Sequence, residues 1–137
     1  MCLGVYVATD RELERVPWDP KRPGLSIRDL LAGEDPVRKQ VTHRHVYYVG
    51  SHTECGCGFT SDDADASESR AALTSYLDAL SQQAPVELFM CWDGSYSDGP
   101  DHSFELSAQE LAEKLSWLGE RSFDDETSLV VIRSPAA

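Results

Sequence analysis

From Val46 to Ile132 the chain alternates short apolar runs with longer stretches of helical periodicity, and this alternation constrains its fold more than any other feature. Val46-Tyr-Tyr-Val49, Val86 to Trp92 and Leu129 to Ile132 are strand-like, whereas Leu73, Tyr76, Leu77 and Leu80, then Leu111, Leu115 and Leu118, recur at helical spacing. A strand joined to the next by a helix returns across one face of a sheet, usually parallel and right-handed. With Leu3 to Ala8 as an opening strand, the expectation is an α/β (or α+β) fold. Its sheet would be mixed and four-stranded with two main helices, in the order β-β-α-β-α-β. The last three strands would be parallel and the first an antiparallel neighbour; a ferredoxin-like split arrangement is the alternative.

Local signals refine this outline. Asp65 stands three residues before Glu68 as a capping box for the first helix, which runs to about Gln82. Ser107 and Glu110 form a second box, Leu106 and Leu111 occupy the staple positions, and Gly119 is the expected stop of the second helix. Three prolines in Pro17 to Pro23 exclude regular structure, and Trp18 is expected to pin that connection to the core. Ser26 to Gly33 reads equally as a short helix or a short strand. Asp93 to Pro100 is dense in turn formers, and Ser134 to Ala137 is expected to fray.

At 137 residues, with 41% hydrophobic and 26% charged residues, the chain is expected to form a single domain over 1–137 with a packed core. The first apolar run has no basic segment before it and meets Asp10 and Arg11 at once, so neither a signal peptide nor a membrane span is expected, and the location would be cytoplasmic. Residues 1–60 hold eight Lys/Arg against eight Asp/Glu, and residues 61–137 hold four against sixteen, which gives the net charge of −12. No basic face for phosphates is in view, so no nucleic-acid partner is expected. The acidity reads first as a soluble surface, with an acidic adaptor face for a basic protein partner as the alternative.

Four cysteines in a chain without a secretion signal point to thiol or metal chemistry rather than disulfides. Loops at the carboxyl ends of neighbouring strands converge, which would bring Ser51-His52-Thr-Glu-Cys55-Gly-Cys57-Gly-Phe59 beside Cys91-Trp-Asp-Gly94. An antiparallel first strand would start at the same edge and add Cys2. Cys55, Cys57 and Cys91 with Cys2 or His52 would then make a ligand set for zinc, copper(I) or an iron-sulfur cluster. Gly56 and Gly58 permit the tight backbone that lets amides point at sulfur. The simpler reading makes Cys2 and Cys91 small buried strand residues.

A second reading is a cysteine nucleophile, Cys2 or Cys55, with His52 as base and Asp93 orienting it. His43, Arg44 and His45 lie at the opposite end of that strand and read as a solvated face, and His102 sits in the loop before the second helix. Asp62, Asp63 and Asp65 lack the glycine and terminal glutamate of a calcium loop and are expected to complement the first helix's positive end.

The start Met1-Cys2 followed by an apolar strand resembles that of N-terminal-nucleophile glutamine amidotransferases and of the family that crosslinks to abasic DNA. The resemblance is confined to this start and implies a Cys2 nucleophile activated by its own amine. Met1-Cys-Leu, Ser51-His52 with Cys55-Gly-Cys-Gly-Phe59, and Cys91-Trp-Asp-Gly94 are similar to motifs of small uncharacterised bacterial proteins, a resemblance spanning most of the chain that implies no activity.

Overall fold

The computed structural model describes residues 3–19, 21, 24–118 and 127–134. Its organising element is the first strand, β1 (Leu3–Thr9), every residue of which is buried. β1 lies between β3 (His45–Gly50) and β4 (Val86–Trp92) and is antiparallel to both. β3 and β4 therefore run in the same direction, as expected, but with β1 inserted between them. β2 (Ser26–Asp29) extends the sheet beyond β3, so the first half of the undecided segment Ser26 to Gly33 is a strand, while Ala32 and Gly33 open a 3-10 helix.

On the other side, β6 (Ser128–Arg133) pairs antiparallel with β4, and β5 (His102–Ser107) pairs parallel with β6. The mixed sheet has six strands in the order β2-β3-β1-β4-β6-β5, not four. Two further expectations are corrected. The last strand is antiparallel to its neighbour β4, because the parallel crossover is made from β5 instead. This strand order also replaces the ferredoxin-like alternative.

Helix α1 (Ala64–Ser81) is capped by Asp63, whose carboxylate accepts the Ala66 amide at 2.7 Å, two residues earlier than the Asp65 box predicts. Helix α2 (Ala108–Leu118) begins at the expected box: Ser107 Oγ accepts the Glu110 amide at 3.1 Å and Glu110 accepts the Ser107 amide at 3.0 Å. The predicted stop at Gly119 and the tail from residue 135 lie outside the described residues. Among those residues no helix is long and apolar enough to cross a membrane.

Strand alternation sends Leu3, Val5 and Val7 towards α1 and α2, where they meet Leu73, Leu77, Leu88, Met90, Leu111 and Leu115. Tyr6 and Ala8 face the other way with Phe89 and Cys91, under Val37 of a 3-10 helix over Ala32–Lys39. This helix, absent from the sequence reading, is tied down by Glu34. The Glu34 carboxylate accepts the Tyr6 hydroxyl at 2.7 Å, Arg28 at 2.7 Å and the Leu31 amide at 2.8 Å. The Arg28 guanidinium also lies 3.8 Å over the Tyr48 ring. Burial pushes the Glu34 carboxyl up, but Arg28, Leu31 and Tyr6 outweigh it and hold it below the ordinary carboxylate range.

Trp18 does not pin its loop to the core. It is 40% exposed, and its indole N–H donates to the His52 carbonyl at 3.1 Å, which fastens the proline loop to the loop after β3.

Removing the Glu34 acceptor strands the buried Tyr6 hydroxyl, so Glu34→Ala should lower the unfolding free energy by about 1–3 kcal/mol in denaturant titration. The carboxylate's own contribution is full above the ordinary carboxylate range and is lost as pH falls through the depressed folded value. The gap between wild type and Glu34→Ala should therefore close on acidification.

Candidate functional site

At the carboxyl end of β3 the chain folds back on itself. The Ser51 carbonyl accepts the Glu54 amide at 3.0 Å, and the Cys55 carbonyl accepts the Ser51 amide at 3.1 Å and its hydroxyl at 2.5 Å. Glu54 adopts φ 72°, a left-handed conformation that costs a non-glycine residue of order 1 kcal/mol or more. A 3-10 turn follows over Gly56–Phe59, anchored by the fully buried Phe59 and by Arg70, which donates to the Phe59 and Ser61 carbonyls at 2.9 Å each.

The turn lies directly on the start of β1. A Cβ on Gly56 would stand 2.7 Å from the Leu3 carbonyl oxygen, and one on Gly58 2.1 Å from Ser51 Oγ, so both positions require glycine for close approach. Between them, Cys57 Sγ accepts the Leu3 amide at 3.1 Å. That amide heads β1, and its nitrogen is the one covalently joined to Cys2. Cys2 itself lies outside the described residues.

The ends of β3 and β4 and the start of β1 thus share one end of the sheet, as the strand order anticipates. Their side chains diverge there. Cys57 packs against the core beneath the helices, whereas Cys91 belongs to the cluster on the opposite face with Tyr6 and Phe89. Cys55 packs at the margin of that second cluster, its Sγ 3.5 Å from Thr53 Oγ1. Among the described residues no group of three or more His, Cys, Asp or Glu stands ready to hold a metal. Cys91 is fully buried, and burial first, then the nearby Asp93, Glu34 and Asp98 carboxylates, push its thiol up to about 12.

His52 is turned towards α1. Its Nδ1 lies 3.0 Å from Ser69 Oγ and its Nε2 3.8 Å from Asp63 Oδ1. Ser69 spends its one hydroxyl proton on the Gly24 carbonyl at 3.1 Å and accepts the His52 backbone amide, so Nδ1 must be the protonated ring nitrogen. Ser69 is fully buried, which rules it out as a nucleophile for this histidine. Asp93 accepts from the Tyr96 hydroxyl at 3.2 Å and does not orient His52, contrary to the triad expected of a cysteine nucleophile. His102 stands in β5 at the far edge of the sheet from β3, stacked 6.0 Å from the Phe104 ring.

The sequence did not point to Ser69 or to the Leu3 amide. A serine on a helix and a strand's first N–H carry no motif; each becomes part of the site only because the loop lands on it.

No protein-family model, curated protein or solved structure matches the chain, so its function is argued from this geometry.

In the native protein Cys91 should resist an alkylating reagent until the chain is unfolded, as counted by mass spectrometry. Gly56→Ala should destabilise the fold by about 1–3 kcal/mol in denaturant titration, because the turn must lift from β1.

Proposed function

We propose that the chain is a thiol-site protein that takes up a thiophilic metal ion at the Cys55-Gly56-Cys57-Gly58 turn, with Cys57 as the anchoring sulfur, to which Cys55 would have to turn from the margin of the other cluster. The observation that carries this reading is the Leu3 amide donating to Cys57 Sγ at 3.1 Å. Sulfur is a weak hydrogen-bond acceptor, and a serine hydroxyl would satisfy the same amide better. We read the cysteine at this position as contributing more than its packing against the core. A thiolate held by a backbone amide is the ligand form that zinc, copper(I) and iron-sulfur centres need.

Two further observations support it. Glu54 holds a left-handed conformation immediately before Cys55, and such strain is retained mostly where geometry matters for function. The fastening of His52 to Ser69 and Asp63 makes that histidine a positioning residue for the turn rather than a ligand. Cys91, on the opposite face with a neutral thiol, serves the core.

The test is metal content by mass spectrometry on untagged protein, with a thiol count before and after unfolding. Near-stoichiometric zinc, copper or iron is expected, with Cys57→Ser losing it and Cys91→Ala retaining it. Metal-free protein whose Cys57 reacts freely, or equal metal in Cys57→Ser, would overturn the reading.

A further inference from the structure

We propose that the polar cleft where β2 ends and β3 begins binds a small tetrahedral oxoanion, a phosphate group on a small molecule or free in solution. The cleft has a volume of about 120 Å³ and is lined by Arg15, Asp29, Arg38, His45, Val46 and Tyr47. Two guanidinium groups and an imidazole thus face one small space, on the part of the chain where basic and acidic residues balance and not on the part that carries the excess negative charge.

The cations in the cleft differ in what they have left to offer. Arg15 is committed: its Nε and Nη2 hold Asp29 at 3.0 and 2.8 Å, its Nη1 reaches Glu12 at 3.1 Å, and the group lies 5.1 Å over the Tyr47 ring. It neutralises the one carboxylate that lines the cleft. Arg38, near the end of the Ala32–Lys39 helix, gives only Nε to Asp35 at 3.0 Å. Among the described residues neither its two Nη groups nor the His45 ring has a hydrogen-bond partner. A planar pair of Nη donors matches two oxygens of one phosphate, and an imidazole beside it supplies a third donor. A planar carboxylate would leave that third donor unused. The donors account for one tetrahedral group, so the ligand is a phosphate group alone or the phosphate end of a small ester.

This site shares no residue with the thiol turn and stands or falls apart from it. It is tested by titrating the full-length protein with inorganic phosphate and, separately, with glycerol phosphate, following backbone amide shifts by NMR against sodium chloride at matched ionic strength. Saturable shifts centred on Arg38, His45, Val46 and Tyr47 are expected. Arg38→Gln should weaken binding about tenfold or more, with an unfolding curve like wild type because its side chain is exposed, and His45→Gln, at a half-buried position, should weaken it as well. Tighter binding of the ester would identify a small-molecule phosphate as the ligand, and equal binding the free ion. Shifts that never saturate or that chloride reproduces, or affinity unchanged in both variants, would overturn the proposal.

Discussion

The structure depends on one constraint: β1 is buried on both faces and paired along both edges. A strand in that position can present a polar side chain only where a partner waits for it, which is why Leu3-Gly-Val-Tyr-Val-Ala8 is apolar throughout except for one phenol, and Thr9 donates to the Pro85 carbonyl. That phenol then needs an acceptor, and Glu34 provides it from the 3-10 helix on the second face. Covering the second face therefore follows from burying Tyr6, and Arg28 is drawn in to balance the carboxylate. Helices α1 and α2 cover the first face by apolar packing, with Ser69 and Arg70 of α1 fastening the neighbouring loops.

Much of this was legible in the sequence, where element and signal coincide. Val86 to Trp92 is a strand over the residues its apolar run covers, and the Ser107-Glu110 box starts α2 where it should. The strand β5 was hidden because His102-Ser-Phe-Glu-Leu-Ser107 lies on an edge with three of its six residues exposed, so only Phe104 and Leu106 alternate, directly after a turn-rich loop. The direction of β6 could not be read from α2, since a helix fixes that the chain returns but not beside which strand. The 3-10 helix contains Gly33 and Pro36, both poor helix signals, and its main anchor is 28 residues away in Tyr6.

The candidate site divides in the same way. The strand order is enough to place the cysteine loop, the end of β4 and the start of β1 at one end of the sheet. It does not assign faces, because Leu88, Phe89, Met90 and Cys91 are all apolar and all buried, and a run without alternation hides which side each residue takes. The face assignment is what separates the thiols. Cys91 sits among Tyr6 and Phe89 with its charge suppressed by burial, whereas Cys57 sits at a chain turn beside a backbone donor. The same residue type is thus a core side chain in one place and a ligand candidate in the other.

The two sites proposed here occupy opposite ends of β3, and that placement has a physical consequence. Six strand residues span roughly 20 Å, so neither ligand could touch the other. Both ends are nevertheless tied to the same neighbours: β3 is hydrogen-bonded along its length to β1 and β2, and its central residues Val46 to Val49 are buried. A strand held in this way does not slip by one residue, because that shift would move Tyr47 and Val49 from one core cluster into the other. The fold therefore offers two separate surfaces on one rigid strand, with local chemistry at each end and no built-in lever between them.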